Sequence, residues 1–343
     1  MKAIVKESKE PGHLAFRDWP EPTPGPDEVK IAVAAAGVCG TDIHIVDGDW
    51  PCNPPVVLGH EFCGTVTERG RMVSSFRPGD RVVASNPAKT CGSCYHCQAG
   101  NPLMCAKRVS VGYMIDGAFA DYICIAEQRC HHLPDNVSFR RAALGEPLAV
   151  AVHALLERAP LRAGDVVLIS GPGCVGLFAM LIAKLQGAQT IVLGIDKDSR
   201  RLALAKELGA DLIVDTSQQD VTDTLRAHGA EGVDVVCECA GAPASLETCL
   251  QAVRKEGTLL QLGIYSRPFE NDFNAIVMKE LRVVGSYGYV WTSWQRTLQL
   301  LGSGKIEANQ LVSHELPLRD FEEGFRLTRD GTATKVVFNP QSG

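Results

Sequence analysis

The sequence predicts an antiparallel, barrel-like β domain joined to a doubly wound parallel α/β domain, and three observations carry that expectation. Length is the first: 343 residues exceed what one ordinary core accommodates, and an apolar share of 45% is enough for two. The second is a change of pattern near residue 149, from short apolar runs separated by Gly and Pro to alternating strand and helix signatures. The third is a glycine-rich turn, "GPGCVG" at 171–176, set between a buried strand and an apolar helix.

The first pattern covers residues 1–148. "EVKIAVAAAG", "FCGTVTERG", "DRVVA" and "AFADYICIA" are short β segments with turn residues between them, the spacing of an antiparallel barrel. The second covers 149–285. "AVAVHALLERA" has helical spacing, "DVVLISG" reads as a buried strand, and "VGLFAMLIAKLQGA" is a helix. "TIVLGID", "SRRLALAKELGA", "DLIVD", "VDVVCECAG" and "TLLQLGI" continue the alternation, which implies a parallel sheet covered on both faces. Residues 286–343 hold a helix in "TSWQRTLQLLGSGKI" and a strand in "TKVVFNP", and are expected to return to the first domain.

Composition narrows the function classes. The formal net charge is 34 − 40 = −6 with neither sign in long runs, which argues against nucleic acid or an anionic membrane as partner. No run approaches the roughly 20 apolar residues of a membrane helix, and "MKAIVKESKEPG" has no signal-peptide character. A cytoplasmic protein acting on a small molecule is expected.

Thirteen cysteines in such a chain point to metal rather than to disulfides. Cys91, Cys94, Cys97 and Cys105 are spaced C-x2-C-x2-C-x7-C in one Gly-containing loop, where four thiolates can surround a tetrahedral ion. The long last spacing, with no Pro after Cys105, favours zinc over an iron–sulfur cluster. Four thiolates leave no open position, so this site is structural. Cys63, Cys124, Cys174, Cys237, Cys239 and Cys249 lie in apolar runs, where a thiol behaves as a small hydrophobe.

A second metal site is assembled from separate stretches. "CGTDIH" supplies Cys39, "GHEFCG" supplies His60 and Glu61, and "LGEPLAV" supplies Glu146 at the junction of the two patterns. One thiolate, one imidazole and one or two carboxylates hold zinc with a position left for water or substrate. Thr41 and His44, next to Cys39, form an expected proton path from a metal-bound oxygen to bulk water.

In the second half, Gly171 permits the tight turn, Gly173 lets backbone approach a pyrophosphate, and Gly176 allows close helix–strand packing. Cys174 and Val175 complete that loop at a helix N-terminus, which favours anions. Asp196 follows the next strand twenty residues after Gly176, where a carboxylate accepts ribose hydroxyls and repels a 2′-phosphate. NAD is therefore favoured over NADP, with Arg201 expected over the adenine. Leu262 and Gly263 end a later strand at the sheet's carboxyl edge, the expected nicotinamide side.

Taken together, "CGTDIH", "GHEFCGTV", "GDRV", the four-cysteine loop, "GEPLAV", "GPGCVG" and Asp196 with Arg201-Leu202 resemble the zinc-containing medium-chain dehydrogenase family over almost the whole chain. The resemblance implies a GroES-like catalytic domain, a Rossmann cofactor domain, two zinc ions per subunit, and hydride transfer between NAD(P) and an alcohol or ketone. Glu at 146, where simple alcohol dehydrogenases of the family usually carry Cys, resembles the polyol branch. That branch implies a secondary alcohol of a polyol or sugar-derived substrate. It also implies zinc held by Cys39, His60 and Glu61, with Glu146 ligating the metal or bonding its water, and a homo-oligomer, tetramer favoured over dimer. One departure stands out: Gly288-Tyr289 occupies the place where many sorbitol dehydrogenases carry an Arg-Tyr pair. Trp50, Tyr113, Tyr287 and Trp291 are further candidates to line a pocket. The alternatives are a threonine 3-dehydrogenase-like or simple alcohol dehydrogenase, and a non-catalytic nucleotide-binding protein, which would show a broken metal set.

Overall fold

A computed structural model describes residues 1–159 and 161–342, and the chain divides into two compact units. The first comprises residues 1–146 and 290–343, the second residues 147–289.

The first unit is built on the long strand Glu28–Gly37, whose Val29, Ile31, Val33 and Ala35 are buried. It pairs antiparallel with Glu61–Arg69 on one side, and on the other with Tyr122–Ala126 and with Val336–Phe338 near the C-terminus. Arg81–Ala84 and Cys130–His132 extend the sheet beyond Glu61–Arg69, and His314–Leu316 closes its other edge. A three-stranded sheet of Leu14–Asp18, Lys2–Lys6 and Val56–Val57 stands apart from it. One apolar core joins these sheets, with Phe62, Phe119, Phe325 and Phe338 among its members. The antiparallel, barrel-like expectation for this half describes what is seen, apart from the edge strand His314–Leu316, which runs parallel to Val336–Phe338.

The second unit is a six-stranded, wholly parallel sheet. Its spatial order is Leu212–Asp215, Gln189–Gly194, Val166–Ser170, Val233–Glu238, Val253–Gln261, Arg282–Gly285. Counted from Val166–Ser170, that is 3-2-1-4-5-6, the order of a dinucleotide-binding sheet whose ligand crevice lies where the winding reverses. Here the reversal falls between Val166–Ser170 and Val233–Glu238. Among the described residues, no helix is long and apolar enough to cross a membrane.

One stretch departs from simple helical spacing. The helix Gly145–Val152 widens into a π-helical turn over His153–Arg158, with the Ala159 amide donating five residues back to the Ala154 carbonyl at 3.0 Å. Buried His153 faces Glu157 at 2.7 Å within that turn. Periodicity alone does not distinguish a 3.6-residue turn from a slightly wider one.

His131, on the strand Cys130–His132, stacks against Trp294 with ring centroids 5.1 Å apart. Burial, aided by the Arg129 charge, pushes its pKa down to about 4. The unfolded chain would bind this proton near pH 6.5, so its stabilising contribution is complete above that pH and is lost as pH falls toward 4. Linkage over that window amounts to on the order of 3 kcal/mol. Thermal melts between pH 7 and 4.5 should therefore show a shallower acid loss for His131→Phe than for the unaltered protein. Equal slopes would mean that His131 is not held neutral by the fold.

Candidate metal centres and dinucleotide site

Among the described residues, two groups of side chains bring potential ligand atoms within 4.8 Å of one another: Cys91, Cys94, Cys97 and Cys105, and Cys39, His60 and Glu61. Both lie within the first unit.

The four-cysteine lobe is local. Cys94 caps the short helix Tyr95–Gln98, which carries Cys97, and a single turn at Pro102–Met104 swings Cys105 back. The Cys91 sulfur lies 4.0 Å from that of Cys97 and 3.6 Å from that of Cys105. A tetrahedral zinc with bonds of about 2.3 Å sets sulfurs about 3.8 Å apart, so the thiols fit the ion. None of the thirteen cysteines is in a disulfide. Backbone amides of Ser93 and Cys94 pull the Cys91 thiol down to about 6, toward the thiolate a metal requires. Tyr95 and His96 are exposed at the tip of the lobe.

The mixed cluster is long-range. Cys39 precedes the helix Gly40–Val46, and Asp42 in its first turn accepts the Cys39 amide at 2.9 Å, fixing the turn. The other Asp42 oxygen lies 3.5 Å from His60 Nδ1, and both groups are buried. Burial by itself would lower the His60 pKa, but the charges of Asp42 and Cys39 outweigh it and hold the imidazole well above its usual value. A carboxylate facing Nδ1 leaves Nε2 as the nitrogen for a metal, the usual arrangement behind a ligating histidine. Tyr113 packs edge-on against the His60 ring, with centroids 6.3 Å apart. Glu61, also buried, meets Lys335 Nζ at 2.5 Å. A thiol, an imidazole and a carboxylate so placed suit zinc with a position left open.

The other expected residues are placed as follows. Thr41 and His44 are half-buried on the helix Gly40–Val46. Glu146 is half-buried in the first turn of Gly145–Val152 and is not a member of the compact three-residue cluster. Trp50 packs on the first unit's core, Tyr289 is buried, and Tyr287 and Trp291 are exposed. Sequence reasoning assigned no role to Asp42 or Lys335. Asp42 stood in plain sight inside "CGTDIH", whereas nothing local marks Lys335 as a partner of Glu61.

In the second unit, Gly171 has φ +101°, a conformation open to glycine, and a methyl group there would press on Ala240. Gly173 caps the helix Cys174–Leu185, and a methyl at Gly173 would meet nothing within 4 Å. Its outer face is thus free for a close-approaching ligand. A methyl at Gly176 would collide with the Gly171 carbonyl, so that position is closed by packing. Asp196 is exposed after Gln189–Gly194. The Arg201 guanidinium lies 3.3 Å from the buried Asp198 carboxylate. Leu262 and Gly263 donate their amides to the Glu238 carbonyl. The buried Glu238 carboxylate accepts from the Ala240 and Gly241 amides, from Ser245 Oγ at 2.6 Å and from Gln261 Nε2 at 2.6 Å. It thereby ties together the loops that follow two neighbouring strands.

Comparison with known proteins agrees with this geometry. The model of the alcohol dehydrogenase GroES-like domain matches residues 25–135, and that of the zinc-binding dehydrogenase matches residues 174–303. A sorbitol dehydrogenase of Halalkalibacterium halodurans is 39% identical over 342 residues, covering 99% of each chain. A D-arabitol-phosphate dehydrogenase of Enterococcus avium is 37% identical, covering 99% of this chain and 98% of its own. The crystal structure of a putative zinc-binding dehydrogenase from Sinorhizobium meliloti bound to NADP superposes with a TM-score of 0.90 at 32% identity, covering 99% of both chains. Fold and sites define a zinc-dependent alcohol-type oxidoreductase. The chain belongs to the zinc-containing medium-chain dehydrogenase family, in its polyol branch.

Two outcomes follow from these sites. Metal analysis should find two zinc ions per chain, and Cys94→Ser should lose one of them with a melting point lower by about 5 °C or more. Retention of both ions would dismiss the four-thiol site. Gly173→Val should fold normally yet weaken NADH binding, followed by nicotinamide fluorescence, by about tenfold or more, since Val would fill the space a pyrophosphate approaches. Gly176→Val should instead fail to fold stably, and equal behaviour of the two variants would contradict the separate roles given to these glycines.

Proposed function

We propose that this protein reversibly oxidises a secondary alcohol of a polyol or sugar-derived substrate to the ketone, passing the hydride to NAD. The observation that carries the reading is the meeting of Cys39, His60 and Glu61 in a chain 39% identical to a sorbitol dehydrogenase. In this reading residues 1–146 with 290–343 form the catalytic domain and residues 147–289 the cofactor domain.

Cys39, His60 and Glu61 would hold the catalytic metal, and Cys91, Cys94, Cys97 and Cys105 the structural one. When bound, zinc supplies a Lewis acid that acidifies an alcohol, and the dinucleotide supplies the hydride acceptor. Asp42, 3.5 Å from Nδ1, would orient the His60 ring toward the metal. The Thr41 hydroxyl takes the substrate proton, and His44, less than one helical turn further along the same helix, passes it outward. Glu146 offers a carboxylate that assists in taking the same proton. Gly171, Gly173, Cys174, Val175 and Gly176 would cradle the pyrophosphate, and Leu262 and Gly263 would border the nicotinamide. Exposed Asp196 would accept the ribose hydroxyls, and Arg201, its charge engaged by Asp198, offers a 2′-phosphate little; both favour NAD over NADP. A homo-oligomer, tetramer favoured, is supported by apolar exposure beside the sheet's edge strand Arg282–Gly285: Phe273, Val277, Met278 and Val283. A cytoplasmic setting accords with thirteen cysteines that form no disulfide.

Initial rates with NAD⁺ and NADP⁺ across polyols, polyol phosphates, aldonic acids, L-threonine and simple alcohols test this reading. NAD⁺-linked turnover of one polyol series is expected, falling by about a thousandfold or more in Cys39→Ala and His60→Ala. Preference for L-threonine or ethanol would overturn the substrate class, and full activity in a variant lacking the metal of Cys39, His60 and Glu61 would overturn the mechanism.

A further inference from the structure

Three strands of the first unit's sheet bring a buried cation to the third candidate ligand. Gly37, in the central strand, pairs with Glu61 on one side and with Val337 on the other. Strands lie about 4.8 Å apart, so a side chain on one outer strand reaches the other only across the middle one. Gly37 leaves that path open: a methyl there would overlap the Glu61 carboxylate. Through the gap Glu61 Oε2 meets Lys335 Nζ at 2.5 Å, with both side chains almost wholly buried. Lys335 also donates at 2.9 Å to the carbonyl of Val38, the residue before Cys39.

We propose that Lys335 is a built-in counter-ion for Glu61, a positioning residue that neutralises the carboxylate while no metal is held and weakens the hold of the site on zinc once it is. The inference rests on Glu61 being a zinc ligand. Without a compensating charge, a carboxylate buried in this sheet would strongly disfavour the folded, metal-free state. Lys335 removes that penalty, so the sheet closes before metal arrives. The same cation competes for the Glu61 oxygen and repels a divalent ion, so it opposes zinc binding. The pair thus trades metal affinity for a lobe that folds without metal.

Titration of zinc into the full-length, metal-stripped protein against a chromophoric chelator, with melting curves of the stripped and loaded forms, tests this. The four-thiol site serves as the unchanged internal reference. Glu61→Gln should weaken the second zinc by about tenfold or more. If its zinc affinity is unaltered, Glu61 is no ligand, and both the ligand assignment and the inference fall. If Glu61→Gln does weaken it, Lys335→Met decides the inference alone. Its second zinc should bind about tenfold tighter, and its stripped form should lose more melting temperature than its loaded form, while Lys335→Arg stays near the unaltered protein. Weaker or unchanged zinc binding, with equal destabilisation of both forms, would make Lys335 a structural tie and overturn the proposal. Should Lys335→Met not fold when stripped, the double variant Glu61→Gln/Lys335→Met should recover folding. Failure to recover would show that charge is not the cause, again overturning it.

Discussion

Two buried carboxylates, Asp42 in the helix Gly40–Val46 and Glu61 at the start of the strand Glu61–Arg69, are the constraint around which the first unit is organised. A buried charge is tolerable only where an opposite charge or several donors meet it. Asp42 meets the Cys39 amide and the His60 ring, and Glu61 meets Lys335. Each compensation also fixes a candidate metal ligand. The groups that make the fold permissible therefore make the site, and the metal would complete a pattern already close to electrical balance.

The second unit solves the same problem with neutral donors. Glu238 is as deeply buried as Glu61, yet backbone amides, a serine hydroxyl and a glutamine amide surround it. Hydrogen bonds to a carboxylate favour its charged form without a nearby cation. The loops so tied leave the carboxyl ends of neighbouring strands, where parallel sheets of this order bind nucleotides. The glycine turn at 171–176 divides its labour similarly: Gly176 is closed by packing on Gly171, while Gly173 is open.

What was legible in the sequence was local. The cysteine loop, the glycine turn and the strand–helix alternation each announce themselves within a few dozen residues, because one element's geometry dictates their spacing. The stretches holding Cys39 and His60-Glu61 were joined on the chemistry of their donor set and on resemblance, since neither shows by itself which strand it joins. Asp42 was visible as a residue but not as a partner of His60, eighteen positions away. The Lys335–Glu61 pair spans 274 positions, and its geometric precondition, the missing side chain of Gly37, reads in the sequence as one more small residue among alanines. His131 likewise gives no sign of its stacking on Trp294, because that contact joins distant parts of the chain. The π turn at His153–Arg158 escaped for a different reason: a half-residue change in pitch leaves apolar spacing almost untouched.

The catalytic metal set is the centre of the chemistry proposed, and a zinc-edge anomalous difference map from crystals of the metal-loaded protein tests it most directly. Two peaks per chain are predicted, one enclosed by the four thiols and one bonded to Cys39, His60 and Glu61. A zinc peak at the four-thiol lobe only, in protein that still turns over its substrate, would contradict it.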